Sequence, residues 1–168
     1  IPSISIYVNE LIREYEVKNL IRIGTAGSFQ EDVKIKDIVI ALAASTNSAV
    51  NWNKFQGADF APTVNFELML KAYHAAQSLG ISVKAGNILS SDEFYDDNPD
   101  SYKKWASYGV LGVEMETAAL YTIAAKYRAK ALALFTISDS LITKETTSAK
   151  ERQNSFNEMV KIALGTLE

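Results

Sequence analysis

Two short stretches bring together side chains capable of chemistry. In Gly112-Val113-Glu114-Met115-Glu116-Thr117-Ala118-Ala119-Leu120-Tyr121, apolar residues run up to Val113, two carboxylates flank a methionine, and an Ala-rich helical stretch follows. In Leu132-Ala133-Leu134-Phe135-Thr136-Ile137-Ser138-Asp139, a second apolar run ends in an acid. Acids at the carboxyl ends of strands lie where open α/β sheets bind ligands. A carboxylate is a bidentate acceptor suited to a sugar diol, and a thioether packs on a ribose ring, so Glu114, Met115 and Glu116 form a candidate sugar site. Asp139, if protonated, can serve as a general acid, a role contributing about 10²–10⁴ in rate. An ordinary Asp has a pKa of about 4 and is mostly ionised at neutral pH, so this role requires desolvation, as under a stacked ring. Plain structural alternatives stay open: first-turn acids favoured by a helix dipole for Glu114 and Glu116, and an N-cap for the next turn in Asp139.

A third feature is Arg22, inside the short strand Leu20-Ile21-Arg22-Ile23-Gly24 and just ahead of Gly24-Thr25-Ala26-Gly27-Ser28, read as a turn. Burying an Arg is costly unless it meets an anion, and backbone N–H groups of a Gly-containing turn are natural anion donors. Arg22 with Gly24, Thr25 and Gly27 is therefore a candidate phosphate site; the alternative is an edge-strand Arg beside an ordinary turn. A fourth is Arg152, in the first turn of the last predicted helix, where the dipole disfavours a cation. It is either simply solvated or paired with an acid such as Asp139. Phe94, in an acidic turn-rich loop, can stack on a ring or lie over the core.

Composition narrows the chemistry. The chain has 168 residues, enough for one domain over residues 1–168 with a real core. Hydrophobic residues at 48% and charged residues at 22% match a soluble globular protein, expected in the cytoplasm. Lys and Arg number 17 against 20 Asp and Glu, a net charge of −3 that gives no reason to expect nucleic acid as a partner. No apolar run reaches the length of a membrane span, and the opening Ile1-Pro2-Ser3-Ile4 has no basic region of a signal peptide. The absence of Cys excludes disulfides and zinc–thiolate sites, and a single histidine, His74, argues against a histidine metal site. No metal and no cofactor are expected.

The positioning elements follow from periodicity. Ile6, Val8, Leu11 and Ile12 have helical spacing within residues 5–15. Strands are predicted at 20–24, 38–42, 81–88 and 130–137, and a polar loop with some extended pairing at 45–61. Helices are predicted at 66–79, capped by Asn65 and stopped by Gly80, from Pro99 to about 108, and at 116–128. Ser148-Ala149-Lys150-Glu151 fits a capping box opening a final amphipathic helix with Phe156, Met159, Val160, Ile162, Ala163 and Leu164. Apolar strands alternating with helices indicate an α/β domain with a largely parallel sheet.

Five stretches, taken together, resemble a known family. Ile21-Arg22-Ile23-Gly24-Thr25-Ala26-Gly27, Ser91-Asp92-Glu93-Phe94-Tyr95, Gly112-Val113-Glu114-Met115-Glu116, Thr136-Ile137-Ser138-Asp139 and Ala149-Lys150-Glu151-Arg152-Gln153 occur in the order seen in bacterial hexameric purine nucleoside phosphorylases. The resemblance covers essentially the whole chain. It implies a three-layer α/β/α fold with a mixed, partly closed sheet, and phosphorolysis of purine nucleosides or deoxynucleosides to free purine and the sugar 1-phosphate. Inorganic phosphate is then a co-substrate, and the enzyme a homo-oligomer, a hexamer in this family. Arg22 and Thr25 match phosphate-binding positions, Thr25 standing where the family usually has Ser. Ala26, Gly27, Phe94 and Val113 match the base pocket, and Glu114, Met115 and Glu116 the ribose site, with Glu116 holding the hydroxyls. Ser138 and Asp139 match the purine N7 region, and Arg152 the arginine that swings toward that Asp.

The front departs from the pattern. The family's chain begins well before Ile1, with a strand and a glycine-containing turn that add phosphate ligands, and with a His and an Arg lent to a neighbour's site. The expectation is a C-terminal portion, truncated or paired with a separate N-terminal piece, with a central sheet edge left unpaired. Rival readings are a nucleosidase of the same superfamily that uses water, a uridine phosphorylase, and an inactive purine-binding or structural remnant. Arg22 argues against the first of these and Asp139 against the second.

Overall fold

The computed structural model describes residues 1–148, 150–151 and 157–167. Among them are α1 (Pro2–Tyr15), β1 (Asn19–Ser28), β2 (Ile38–Thr46), α2 (Ala49–Lys54), α3 (Phe66–Ser78), β3 (Val83–Ser90), α4 (Ser101–Ser107), β4 (Gly112–Glu114), α5 (Thr117–Tyr127), β5 (Lys130–Ser140) and α6 (Asn157–Gly165).

The five strands close into a ring in the order β1-β4-β3-β2-β5. The sheet is mixed: β1 runs parallel to β5, while β2, β3 and β4 run parallel to one another, and the two sets meet at antiparallel junctions. No strand among them is left as the open edge expected from the sequence. Beyond the short β2–β5 pairing, β2 is covered by the segment around Thr63, whose neighbours Pro62 and Val64 bond Ala44 and Leu42.

Strand β5 shows why its sequence is a continuous apolar run. Leu132 and Leu134 point into a core shared with Leu68 and Ala72 of α3 and Met159 and Ile162 of α6. The alternate residues Ala131, Ala133, Phe135 and Ile137 join Val8 of α1 and Leu120, Tyr121 and Ala124 of α5. Helices therefore cover both faces, and a strand buried on both sides has no polar alternation. Helix α5 is buried at every position from Thr117 to Ala124, so it is apolar all round rather than striped.

Several local expectations are met. The Asn65 side chain accepts from Leu68 N–H at 3.1 Å. Ser148 and Glu151 form the reciprocal capping box, Ser148 N–H donating to Glu151 at 2.9 Å and Glu151 N–H to Ser148 at 3.2 Å. These bonds, with Lys36 nearby, hold the Glu151 carboxyl down at about 2.

Others are corrected. Residues 24–28, read as a turn, are the second half of β1, paired with β5 from Gly24↔Phe135 to Ser28↔Ser140. The polar stretch 45–61 contains α2, whose cap Ser48 accepts from Val50 N–H at 3.2 Å. A helix of six residues is too short to show periodicity. Strand β5 continues through Asp139 to Ser140, and the cap of the following turn is Ser140, which accepts from Ile142 and Thr143 N–H. Arg152 and Phe156 lie outside the described residues.

Where β2 and β5 diverge beyond their three paired positions, one phenol bridges them. Tyr121 Oη donates to Ala41 O at 2.7 Å and accepts from Ala133 N–H at 3.0 Å. Burial pushes this phenol's pKa well above its usual value. Tyr121→Phe leaves two buried backbone groups unpaired and should destabilise by about 1–3 kcal/mol, read as a lower denaturant midpoint with an unchanged slope. An unchanged midpoint would show that the phenol is dispensable to the junction.

Candidate active site

Because β4 runs antiparallel to β1, with Gly27 opposite Val113 and Ser28 opposite Gly112, the chain beyond Val113 heads back along β1 toward Arg22. That path brings Glu114 and Glu116 onto one guanidinium. Arg22 Nη2 donates to the Glu116 carboxylate and lies 3.5 Å from Glu114 Oε2. The guanidinium also sits over the Phe135 ring, 4.9 Å from its centroid. Stacking of this kind fixes the plane of an Arg more than its charge alone would.

The two glutamates differ in surroundings. The Glu114 side chain is 1% exposed. Its Oε1 accepts from Ser90 Oγ, its Oε2 from the backbone N–H of Glu116 at 2.9 Å, and both oxygens share the Thr117 N–H at 3.1 Å. Glu114 is thus a helix-start acid at α5, the plain structural role weighed for it in the sequence. Glu116 occupies the N-cap position but makes no side-chain capping bond, and its side chain is 33% exposed. Although paired with Arg22, it is the more accessible of the two carboxylates to a ligand.

At the far end of β1, the register with β5 shifts: Ala26 opposes Ile137, but Gly27 opposes Asp139. Ser138 is the extra residue of a β-bulge, a device that re-aims side chains at sites. Ser138 O accepts from Thr147 N–H at 2.7 Å and from Thr147 Oγ1 at 2.9 Å. Ser138 Oγ donates to Asp139 Oδ1 at 2.7 Å.

The glycines of β1 follow from this arrangement. A Cβ on Gly27 would lie 2.7 Å from Asp139 Oδ2 and 2.8 Å from Leu141, and a Cβ on Gly24 would run into the Arg22 guanidinium. Gly24 and Gly27 give room for charged side chains to lie across a strand; neither has a positive φ.

One cleft of about 630 Å³ gathers these groups. Its lining includes Arg22, Gly24, Thr25, Ala26, Gly27, Phe94, Val113, Glu114, Met115, Glu116, Ser138 and Asp139, which is every site residue read from the sequence except Arg152. Phe94 is 76% exposed on the rim, edge to face with Tyr95 at 5.0 Å between centroids. Sequence reasoning missed Glu93 and Leu141, which also line the cleft, and Ser90 beneath it. Glu93 adjoins Phe94 and Leu141 lies two residues beyond Asp139, whereas Ser90 falls just past the strand predicted at 81–88. A second cleft of about 610 Å³, lined by Ser45, Asn51, Trp52, Phe60 and Trp105 among others, holds none of the predicted residues.

The cleft presents a stacked guanidinium, an accessible carboxylate and a strand-end acid around one volume. Among the described residues lining it, Arg22 is the one cation against the carboxylates of Glu93, Glu114, Glu116 and Asp139. No helix among the described residues is long and apolar enough to cross a membrane.

Comparison with known proteins gives the family. The family described as the phosphorylase superfamily matches residues 1–167. A purine nucleoside phosphorylase of DeoD type from Thermoanaerobacter sp. (strain X514) is 61% identical over 168 residues, 100% of this chain and 72% of that protein. Proteins of the same description from Caldanaerobacter subterraneus and Clostridium perfringens are 63% and 57% identical over 164 residues, 98% of this chain and 71% and 70% of those proteins. The chain belongs to the phosphorylase superfamily.

Proposed function

We infer that this chain cleaves purine nucleosides and deoxynucleosides by phosphorolysis, releasing free purine and the pentose 1-phosphate, a reaction of purine salvage. The carrying observation is that Arg22, Glu116 and Asp139 line one cleft. Breaking the bond between C1′ and N9 leaves a purine anion, a poor leaving group until N7 takes a proton. The sugar develops cationic character while a phosphate oxygen forms the new bond at C1′. Such a site requires an anion cradle on one face of the sugar, a diol clamp, and an acid at the base.

Arg22, with Thr25 and Gly24 beside it, is assigned to phosphate. Glu116 accepts from the ribose hydroxyls with Met115 against the ring, and Glu114 supports both from below. Ala26, Gly27, Val113, Ser138 and Phe94 surround the base, and Asp139 gives its proton to N7. Arg152 keeps the role implied by the family resemblance, balancing the carboxylate that Asp139 becomes. Glu116 shares the Nη2 of Arg22 with Glu114. Hydroxyls donated to Glu116 loosen that hold and turn the guanidinium toward phosphate, which favours phosphate over water as the nucleophile. No cofactor or metal is called for by these steps. The same reading includes a cytoplasmic homo-oligomer, a hexamer; Tyr7, Ile6 and Tyr15 of α1, all more than half exposed, offer apolar surface that assembly would cover.

The roles are separable by substitution. Arg22→Ala should raise the KM for phosphate at least about tenfold more than the KM for nucleoside, the loss expected for a charge-assisted contact. Equal effects on the two would remove Arg22 from the phosphate site. Asp139→Asn should slow inosine or adenosine by about 10²–10⁴ yet largely spare 7-methylguanosine, which is already cationic at N7 and needs no proton. If both substrates lose equally, Asp139 binds the base without acting as an acid.

A further inference from the structure

We propose that Ser90 is a positioning residue for the ribose and phosphate half of the cleft, acting through Glu114; this rests on the roles assigned above to Arg22 and Glu116. Ser90 is the last residue of β3 and is fully buried. Its hydroxyl accepts from Ala118 N–H at 2.8 Å, in the first turn of α5. A hydroxyl has one hydrogen, and the lone pair engaged by Ala118 directs that hydrogen to Glu114 Oε1. The direction of the bond is therefore fixed, and together with the Thr117 N–H, 3.1 Å from both carboxylate oxygens, it sets the rotation of the Glu114 carboxylate.

That rotation sets where Oε2 stands. Oε2 holds the backbone N–H of Glu116 at 2.9 Å and of Thr117 at 3.1 Å, and lies 3.5 Å from Arg22 Nη2. A hydroxyl that touches no substrate thus acts, with the Thr117 N–H, on the backbone of the diol-binding residue and on the distance between Glu114 and the guanidinium. Ser90 is itself tied to the next strand, since Thr46 Oγ1 donates to Ser90 O at 2.7 Å. Without the hydroxyl, Glu114 keeps its charge, and Oε1 is left with only the Thr117 N–H that it shares with Oε2, 3.1 Å from each. The carboxylate can then turn toward Arg22 and compete with phosphate for Nη2. The base side of the cleft, on Gly27, Ser138 and Asp139, has no hydrogen bond to Ser90 or Glu114 and should not respond.

The test compares Ser90→Ala with the unsubstituted protein in steady-state phosphorolysis and in equilibrium binding of free purine. The expected result is a fall of about 10- to 100-fold in kcat/KM for nucleoside and for phosphate, the usual effect of losing a supporting hydrogen-bond partner, with purine affinity unchanged within about twofold. Ser90→Ala added to Glu114→Gln should cost little beyond Glu114→Gln alone, because residues acting in series are non-additive. Ser90→Thr, which keeps the hydroxyl, should retain turnover even if its thermal stability falls.

Unchanged turnover in Ser90→Ala, additive losses in the double variant, or a loss of folding or of purine binding that matches the loss of rate would each overturn the positioning role. Failure of this inference alone leaves phosphorolysis by the unsubstituted protein intact and dependent on Arg22. No phosphorolysis by the unsubstituted protein overturns both readings.

Discussion

The Glu114 carboxylate is the tie on which the cleft depends. Burying a lone carboxylate costs several kcal/mol, and the cost is offset only when each oxygen has donors. Here the donors come from three separate elements. Ser90 belongs to β3, Arg22 to β1, and the N–H groups of Glu116 and Thr117 to the start of α5. The dipole of α5 adds its positive end at the same point. One charge therefore pins the ends of two strands and a helix to the middle of a third strand. Losing any one donor leaves a buried charge short of a partner and frees the carboxylate to turn.

A consequence is a division of labour between two glutamates separated by one residue. Glu114 spends its lone pairs on the scaffold, which leaves Glu116 as the accessible carboxylate. The same economy governs Arg22, whose plane is set by Phe135 while its Nη2 is shared between the two acids. At the other end of the cleft, the bulge at Ser138 and the bare backbone of Gly27 let Asp139 lie across β1. The cleft is thus built largely of strand ends and one helix start, with Glu93 and Phe94 as exposed loop residues.

Much of this was legible in the sequence because strand-embedded or strand-end charges are expensive, and an expensive residue usually has a task. Arg22, Glu116 and Asp139 stood out for that reason, and the structure gathers them. The alternation of α and β segments gave the fold class, but not the closure of the ring, which depends on long-range pairings such as Ile38 with Thr136. The misread turn at 24–28 has a definite cause. Glycine signals either a positive φ or a close approach, and composition alone does not separate them; Gly24 and Gly27 are of the second kind. Ser90 escaped notice because a serine at the edge of an acidic segment looks like loop, and its value lies in contacts with residues 24 and 28 positions away. Glu114 was read both ways, as ligand residue and as helix-start acid; its 1% exposure favours the second.

The most direct measurement follows inosine or adenosine with the protein in phosphate-free buffer and then with inorganic phosphate, identifying the sugar product by mass. The account predicts negligible cleavage without phosphate, and purine with ribose 1-phosphate in equal amounts once it is added. Cleavage at the same rate without phosphate, with free ribose as the product, would contradict it and make water the nucleophile in this cleft.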